Sequence, residues 1–232
     1  MKLLQPKVGY RVAVDPIILA AFTTPRAGRK ILDVGCGSGV ISLILKLQEQ
    51  SLRITALDID AEMCCLCRRN AEINAADIRV VNGDIGNAKD IASLKNECFD
   101  HVVTNPPFFE RQSSRISETK RTSHFETLSL DDWIAGCLGR LKNGGTFSMI
   151  HLASRAGDIL GALKNNAGSV QIIPIFPKAD RDAGRVIILA RKSGKSPTKI
   201  RPGIIVHNAD GSYSDTMRRI LSGNFRTAPN LP

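Results

Sequence analysis

Apolar residues come in short unbroken blocks along this chain, separated by longer stretches in which they recur with polar residues between them. Residues 30–34, 54–58, 78–81, 99–104 and 146–152 are the short blocks. Runs of this kind predict strands buried on both faces of a parallel sheet. Between them, residues 40–47, 61–73, 131–141 and 156–165 read as helices. An earlier helix is expected from Asp15-Pro16 through Phe22, with Asp15 as the capping acceptor and Pro16 at the first helical position. Strands separated by helices predict an α/β fold with helices on both faces of the sheet.

The pattern changes after this. Residues 171–176 and 185–190 are two apolar runs with no helix between them. Only Pro177-Lys178-Ala179-Asp180-Arg181-Asp182-Ala183-Gly184 joins them, so they should pair antiparallel, and Pro174 suits an edge or a bulge. Beyond Ser193 come a basic linker, a short apolar run at 204–206, a turn at Asn208-Ala209-Asp210-Gly211 and a helix near 215–221. One domain is expected over 1–192, its first 28 residues forming a covering segment. A short basic extension, 193–232, should pack on the same domain.

Composition narrows the partners. The 232 residues are 43% hydrophobic, enough for one sizeable core, and carry a formal charge of +10. Such a surface attracts polyanions, although solubility alone would also account for it. The six cysteines follow neither a disulfide framework nor a metal-ligand spacing. They are expected to be buried thiols in a reducing compartment, with no metal. No stretch has the length and hydrophobicity of a signal peptide or a membrane span, which predicts a cytoplasmic protein.

Asp33-Val34-Gly35-Cys36-Gly37-Ser38-Gly39 follows the first predicted strand. Glycines there let a ligand approach bare backbone. The Gly-x-Gly-x-Gly spacing departs from the dinucleotide fingerprint, which would place a small residue where Val40 stands. Together with the closing antiparallel pair, it points to S-adenosylmethionine (AdoMet). Asp58 ends the second strand, where a carboxylate can accept from both ribose hydroxyls. Asp60 is the better cap for the helix that follows. Asp84, after the third strand, is either a contact to the cofactor's adenine amino group or an ordinary turn residue. Asp33 either orients the glycine loop or meets the methionine ammonium.

Asn105-Pro106-Pro107-Phe108 ends the fourth predicted strand. An amine on an aromatic ring is a poor nucleophile because its lone pair is delocalised. The Asn105 side-chain oxygen and the Pro106 carbonyl can accept its two N–H bonds and favour charge developing on nitrogen. The two prolines stiffen the corner, and Phe108 can stack on a base. The basic stretch that follows, with Arg111, Arg115, Lys120, Arg121 and His124, reads equally as a phosphate clamp or as solvated loop charge. Trp133 reads only as core.

Several segments together resemble the bacterial tRNA (adenine-N6)-methyltransferases that act beside the valine anticodon, at tRNA position 37. They are Gln5-Pro6-Lys7-Val8-Gly9-Tyr10-Arg11, Asp15, Leu19-Ala20-Ala21, the glycine turn, Asn105-Pro106-Pro107-Phe108, His124 with Glu126, and Gly144-Gly145. Pro202-Gly203-Ile204-Ile205-Val206-His207 and Asp210-Gly211-Ser212-Tyr213 extend the match over nearly the whole chain. The resemblance implies a Rossmann-like class I methyltransferase: a seven-stranded sheet of order 3-2-1-4-5-7-6, strand 7 antiparallel. It further implies that Gln5, Lys7, Gly9, Tyr10 and Arg11 lie over the cofactor or the target base. His124-Phe125-Glu126 stands where the family often has Arg-His-Glu, which leaves the exact RNA target open. The activity expected is AdoMet-dependent methylation of adenine N6 in RNA, most naturally tRNA. The alternatives are another planar amine (ribosomal guanine N2, DNA adenine or a release-factor glutamine) or a catalytically silent RNA-binding module.

Overall fold

The computed structural model describes residues 1–6, 12–95, 97–107 and 128–223. Five parallel strands form where the apolar runs place them. They are β1 (Lys30–Val34), β2 (Arg53–Asp58), β3 (Ile78–Asn82), β4 (Phe99–Thr104) and β5 (Leu141–Leu152). Next come β6 (Ala167–Phe176) and β7 (Arg185–Lys192), which pair antiparallel; β7 inserts between β5 and β6. Two short strands, β8 (Lys199–Ile200) and β9 (Ile204–Ile205), add to β6, giving the order β3-β2-β1-β4-β5-β7-β6-β8 with β9 also on β6. The expected seven-strand order therefore stands, extended by two edge strands. Pro174 falls between the stretches of β6 that pair with β8 and with β9, at the edge position its missing N–H requires.

The helices are α1 (Asp15–Phe22), α2 (Val40–Gln48), α3 (Ala61–Ile73), α4 (Leu130–Gly139), α5 (Ala156–Leu163) and α6 (Asp215–Leu221). Neighbouring residues on each central strand feed opposite layers. Ile31, Val103, Ile150 and Ile187 pack with α1, α2 and α6, and Leu32, Val102, Met149 and Ile188 with α4 and α5. The expected cap on α1 is corrected by one residue: Val14 is the N-cap. Asp15 opens the first turn and pairs instead with Arg185 of β7 at 3.0 Å. The cysteines divide. Cys36, Cys64, Cys67 and Cys137 are buried as expected, whereas Cys65 and Cys98 are exposed. Cys65 lies on the outer face of α3, and Cys98 just before β4. Among the described residues no helix is long and apolar enough to cross a membrane.

Candidate active site

The C-terminal ends of the parallel strands converge on one edge, where open α/β sheets bind ligands. β1 runs into the glycine turn, and its geometry explains the residue types. Gly39 has φ +85°, and a Cβ there would lie 2.6 Å from Cys67 Sγ on α3. Gly35 has φ +69°, and a Cβ there would meet the Trp133 ring at 3.2 Å. Both positions demand left-handed backbone and close approach, which only glycine meets without strain. Gly37, φ +53°, lies between them with open space on the side where a Cβ would stand.

Four acidic residues lie near the ends of β1, β2 and β3. Asp58, buried at the end of β2, accepts from Gly37 N–H through Oδ2 (2.7 Å) and from Asp60 N–H through Oδ1 (2.9 Å). Burial raises its pKa, and the two backbone donors offset part of that. Asp60 caps α3 as expected, accepting from Glu62 and Met63 N–H. Asp33 is fully buried. Its Oδ2 accepts from the Ser42 hydroxyl (2.7 Å) and backbone N–H (3.2 Å). Its Oδ1 has no partner among the described residues. Burial pushes the Asp33 carboxyl up to about 7. Asp84 lies past the end of β3, partly exposed, and accepts from Gly86 N–H at 2.8 Å.

The acceptor corner stands next to this turn. In the parallel pairing of β1 with β4, Val34 is level with Thr104, so Gly35 and Asn105 leave the sheet side by side. Asn105 is half-buried, and its Oδ1 is buried with no partner among the described residues. Pro106 is buried and Pro107 exposed. The structure thus brings Asp33, Gly35, Gly37, Gly39, Asp58, Asp84, Asn105, Pro106 and Pro107 to one sheet edge. Lys7, Gly9, Tyr10, Arg11, Phe108, Arg111, Arg115, Lys120, Arg121, His124 and Glu126 lie outside the described residues. Gln5 is described, and its Oε1 accepts from Val12 N–H at 2.9 Å.

Four contributors escaped the sequence reading. Asn70 on α3 donates to Leu4 O (3.0 Å) and Ser38 O (2.9 Å), and accepts from Leu4 N–H (2.7 Å), which pins the N-terminal segment beside the glycine turn. Asn82 donates to Asp58 O and Ile59 O, tying the ends of β2 and β3 together. Thr104 and Trp133 form the floor: Trp133 Nε1–H donates to Thr104 Oγ1 (3.1 Å), and Thr104 Oγ1–H donates to Val34 O (2.8 Å). An asparagine on a helix or a lone tryptophan gives no sequence signal for such roles. Trp133, expected only as core, is buried as core but also donates through its indole N–H.

The site suits a cationic, ribose-bearing cofactor. A fully buried carboxylate oxygen awaits a donor at Asp33, a second carboxylate braces the turn, and glycines leave the backbone bare. If the cofactor binds along the turn, Asp33 would face its ammonium and Asp58 its ribose, Oδ1 and Oδ2 each having a further lone pair to offer.

Residues 16–172 match the family profile described as methyltransferase small domain. A tRNA1(Val) (adenine(37)-N6)-methyltransferase of Aeromonas hydrophila is 29% identical over 220 residues, covering 93% of this chain and 90% of its own. The enzyme of the same name from Dickeya chrysanthemi is 26% identical over 223 residues, covering 92% and 87%. Among solved structures, one from Agrobacterium tumefaciens described as a predicted O-methyltransferase superposes with TM-score 0.76 at 24% identity, covering 94% of this chain and 100% of that one. TrmN from Thermus thermophilus superposes with TM-score 0.55 at 20% identity, covering 76% and 48%. These two likenesses show the fold. The chain belongs to the methyltransferase small domain family and is an AdoMet-dependent enzyme with the class I methyltransferase fold.

Proposed function

We infer that this enzyme methylates the exocyclic N6 of adenine in tRNA, beside the anticodon. The observation that carries the reading is Asn105 Oδ1, a buried acceptor without a partner among the described residues, one step beyond the Thr104–Val34 pairing that sets it against the glycine turn. The relatives named as tRNA1(Val) (adenine(37)-N6)-methyltransferases match over nearly the whole chain, and the charge of +10 suits a polyanionic substrate.

Bound AdoMet supplies an electrophilic methyl group. The work of the chain is to make a poor nucleophile attack it. Asn105 Oδ1 accepts one N–H of the amine and the Pro106 carbonyl the other, turning the lone pair out of conjugation and toward the methyl group. The same two acceptors favour the positive charge that grows on nitrogen. No strong base is needed, because the N–H becomes acidic once nitrogen is methylated and its proton passes to solvent. The rigid Pro106-Pro107 turn keeps both acceptors aimed before substrate arrives. Phe108 stacks on the base, and the cations at 111, 115, 120 and 121 meet phosphates. Anticodon-loop bases are accessible without breaking a duplex, so the cost of drawing one into the pocket is small.

Labelled AdoMet offered with unmodified tRNA, duplex DNA and a glutamine-bearing protein in competition tests the acceptor class. Label in tRNA is the expected result. Label confined to DNA or protein overturns the reading.

A further inference from the structure

We propose that Trp133 and Thr104 are positioning residues that lock the donor and acceptor halves of the site into one alignment. The proposal rests on the methyl-transfer reading above and concerns how the two halves are held together.

The indole of Trp133 touches both halves. Its outer ring lies under the glycine turn, where a Cβ on Gly35 would be 3.2 Å from its Cζ2 and Cη2. Its Nε1–H donates to Thr104 Oγ1 at 3.1 Å, and that hydroxyl passes its own hydrogen to Val34 O at 2.8 Å. Val34 precedes Gly35 and Thr104 precedes Asn105. One threonine hydroxyl, fully buried, thus links the last residue before the cofactor turn to the last residue before the amine-binding corner.

The helix that carries Trp133 is itself fixed against the third loop of the site. A Cβ on Gly136, one turn along α4, would lie 2.9 Å from Ile85 Cγ1 and 3.0 Å from Ile85 O, beside Asp84. Ser129 caps the start of α4, accepting from Asp132 N–H. Displacing Trp133 therefore moves more than one wall of the pocket. Strand pairing alone would hold β1 beside β4, but pairing ends at Val34 and Thr104. The relay adds a side-chain link at that last pair, and the Trp133 ring carries it on to Gly35. In-line methyl transfer is sensitive to misplacement on the scale of an ångström, so loosening this link should lower turnover more than it lowers cofactor binding.

Trp133 is the single tryptophan of the chain, so its emission reports on the floor of the site directly. Three variants separate the roles. Thr104→Val keeps the shape and removes the hydroxyl; Thr104→Ser restores the hydroxyl; Trp133→Phe keeps a ring and removes the N–H. For Thr104→Val and Trp133→Phe we expect kcat to fall about tenfold or more with AdoMet affinity within about threefold of native, and Thr104→Ser to recover most of the turnover. Independently of activity, Thr104→Val should shift the Trp133 emission maximum and change its response to S-adenosylhomocysteine, with Thr104→Ser native-like in both. Native turnover in both Thr104→Val and Trp133→Phe, losses confined to the KM for AdoMet, or an unchanged emission response in Thr104→Val would each overturn the proposal. If the native protein proves to use another acceptor, the emission experiment still decides on the relay while the tRNA reading fails by itself.

Discussion

Gly37 donates its backbone N–H to Asp58 Oδ2 across 2.7 Å, so the carboxylate ending one strand holds the loop ending its neighbour. With Oδ1 on Asp60 N–H, this single side chain also sets the start of α3. The residue read as a ribose acceptor is thereby also part of the scaffold of the glycine turn.

Asp58→Asn retains one acceptor oxygen of the two and removes the charge. A charge-assisted bond of this kind contributes about 1.5–3 kcal/mol, so AdoMet affinity should fall by about tenfold or more. Isothermal calorimetry measures it. Native affinity in a folded variant would mean that Asp58 serves neither loop nor ribose.

Asn105→Ala deletes the buried acceptor of the amine corner. Loss of one preorganised partner of a developing charge costs about 10²–10³ in kcat. AdoMet affinity should stay within about threefold, because Asn105 lies on the acceptor side. A variant that binds cofactor poorly but turns over normally would contradict the role given to this residue.

Asp33 makes stability depend on pH in an unusual direction. Its carboxyl has an ordinary value of 3.8 and is pushed up to about 7 by burial. Between those values the folded chain holds a proton that the unfolded chain has lost, so this contribution to stability falls as pH rises through the window and is flat above it. Asp33→Asn removes the effect. The variant should melt higher than the native protein at about pH 8, by roughly 4 kcal/mol at most, with the advantage fading toward about pH 4. If Asp33 also meets the cofactor's ammonium, the variant should bind AdoMet more weakly as well. Calorimetric melts at several pH values, with and without S-adenosylhomocysteine, check both; a constant difference between variant and native protein would refute the linkage.

Gly39→Ala tests the other wall of the turn. The new methyl would stand 2.6 Å from Cys67 Sγ on a backbone with φ +85°. The left-handed conformation alone costs about 1–2 kcal/mol, and the clash adds to it. Adding Cys67→Ala should recover the clash and leave the conformational part. Urea unfolding of the single and double variants separates them, and full recovery in the double variant would show that backbone conformation is not what selects glycine here.

The sheet was legible because its central strands are buried on both faces, so each appears as an apolar block with sharp ends. Asp33, Asp58 and Asn105 were legible for a related reason: each is a polar residue inside or at the end of such a block. The two edge strands were less so. β9 showed only as the short apolar run at 204–206, and β8 not at all, its two residues Lys199 and Ile200 both being exposed. The first half of β5 was hidden by Lys142-Asn143-Gly144-Gly145, a polar stretch that pairs through Leu141 across an irregularity in β4. Asn70, Asn82 and Trp133 act through side-chain bonds to residues far away in the chain, which no local pattern encodes. The displaced cap on α1 has the same origin, since Asp15 is drawn to Arg185, distant in sequence.

The most direct test of the account is nucleoside mass spectrometry of unmodified tRNA transcripts after incubation with the native protein and AdoMet. The account expects N6-methyladenosine, located in the anticodon loop and absent when Asn105→Ala replaces the native protein. Adenosine left unmethylated in every tRNA, or a methyl group found on an atom other than an exocyclic amine nitrogen, would contradict it.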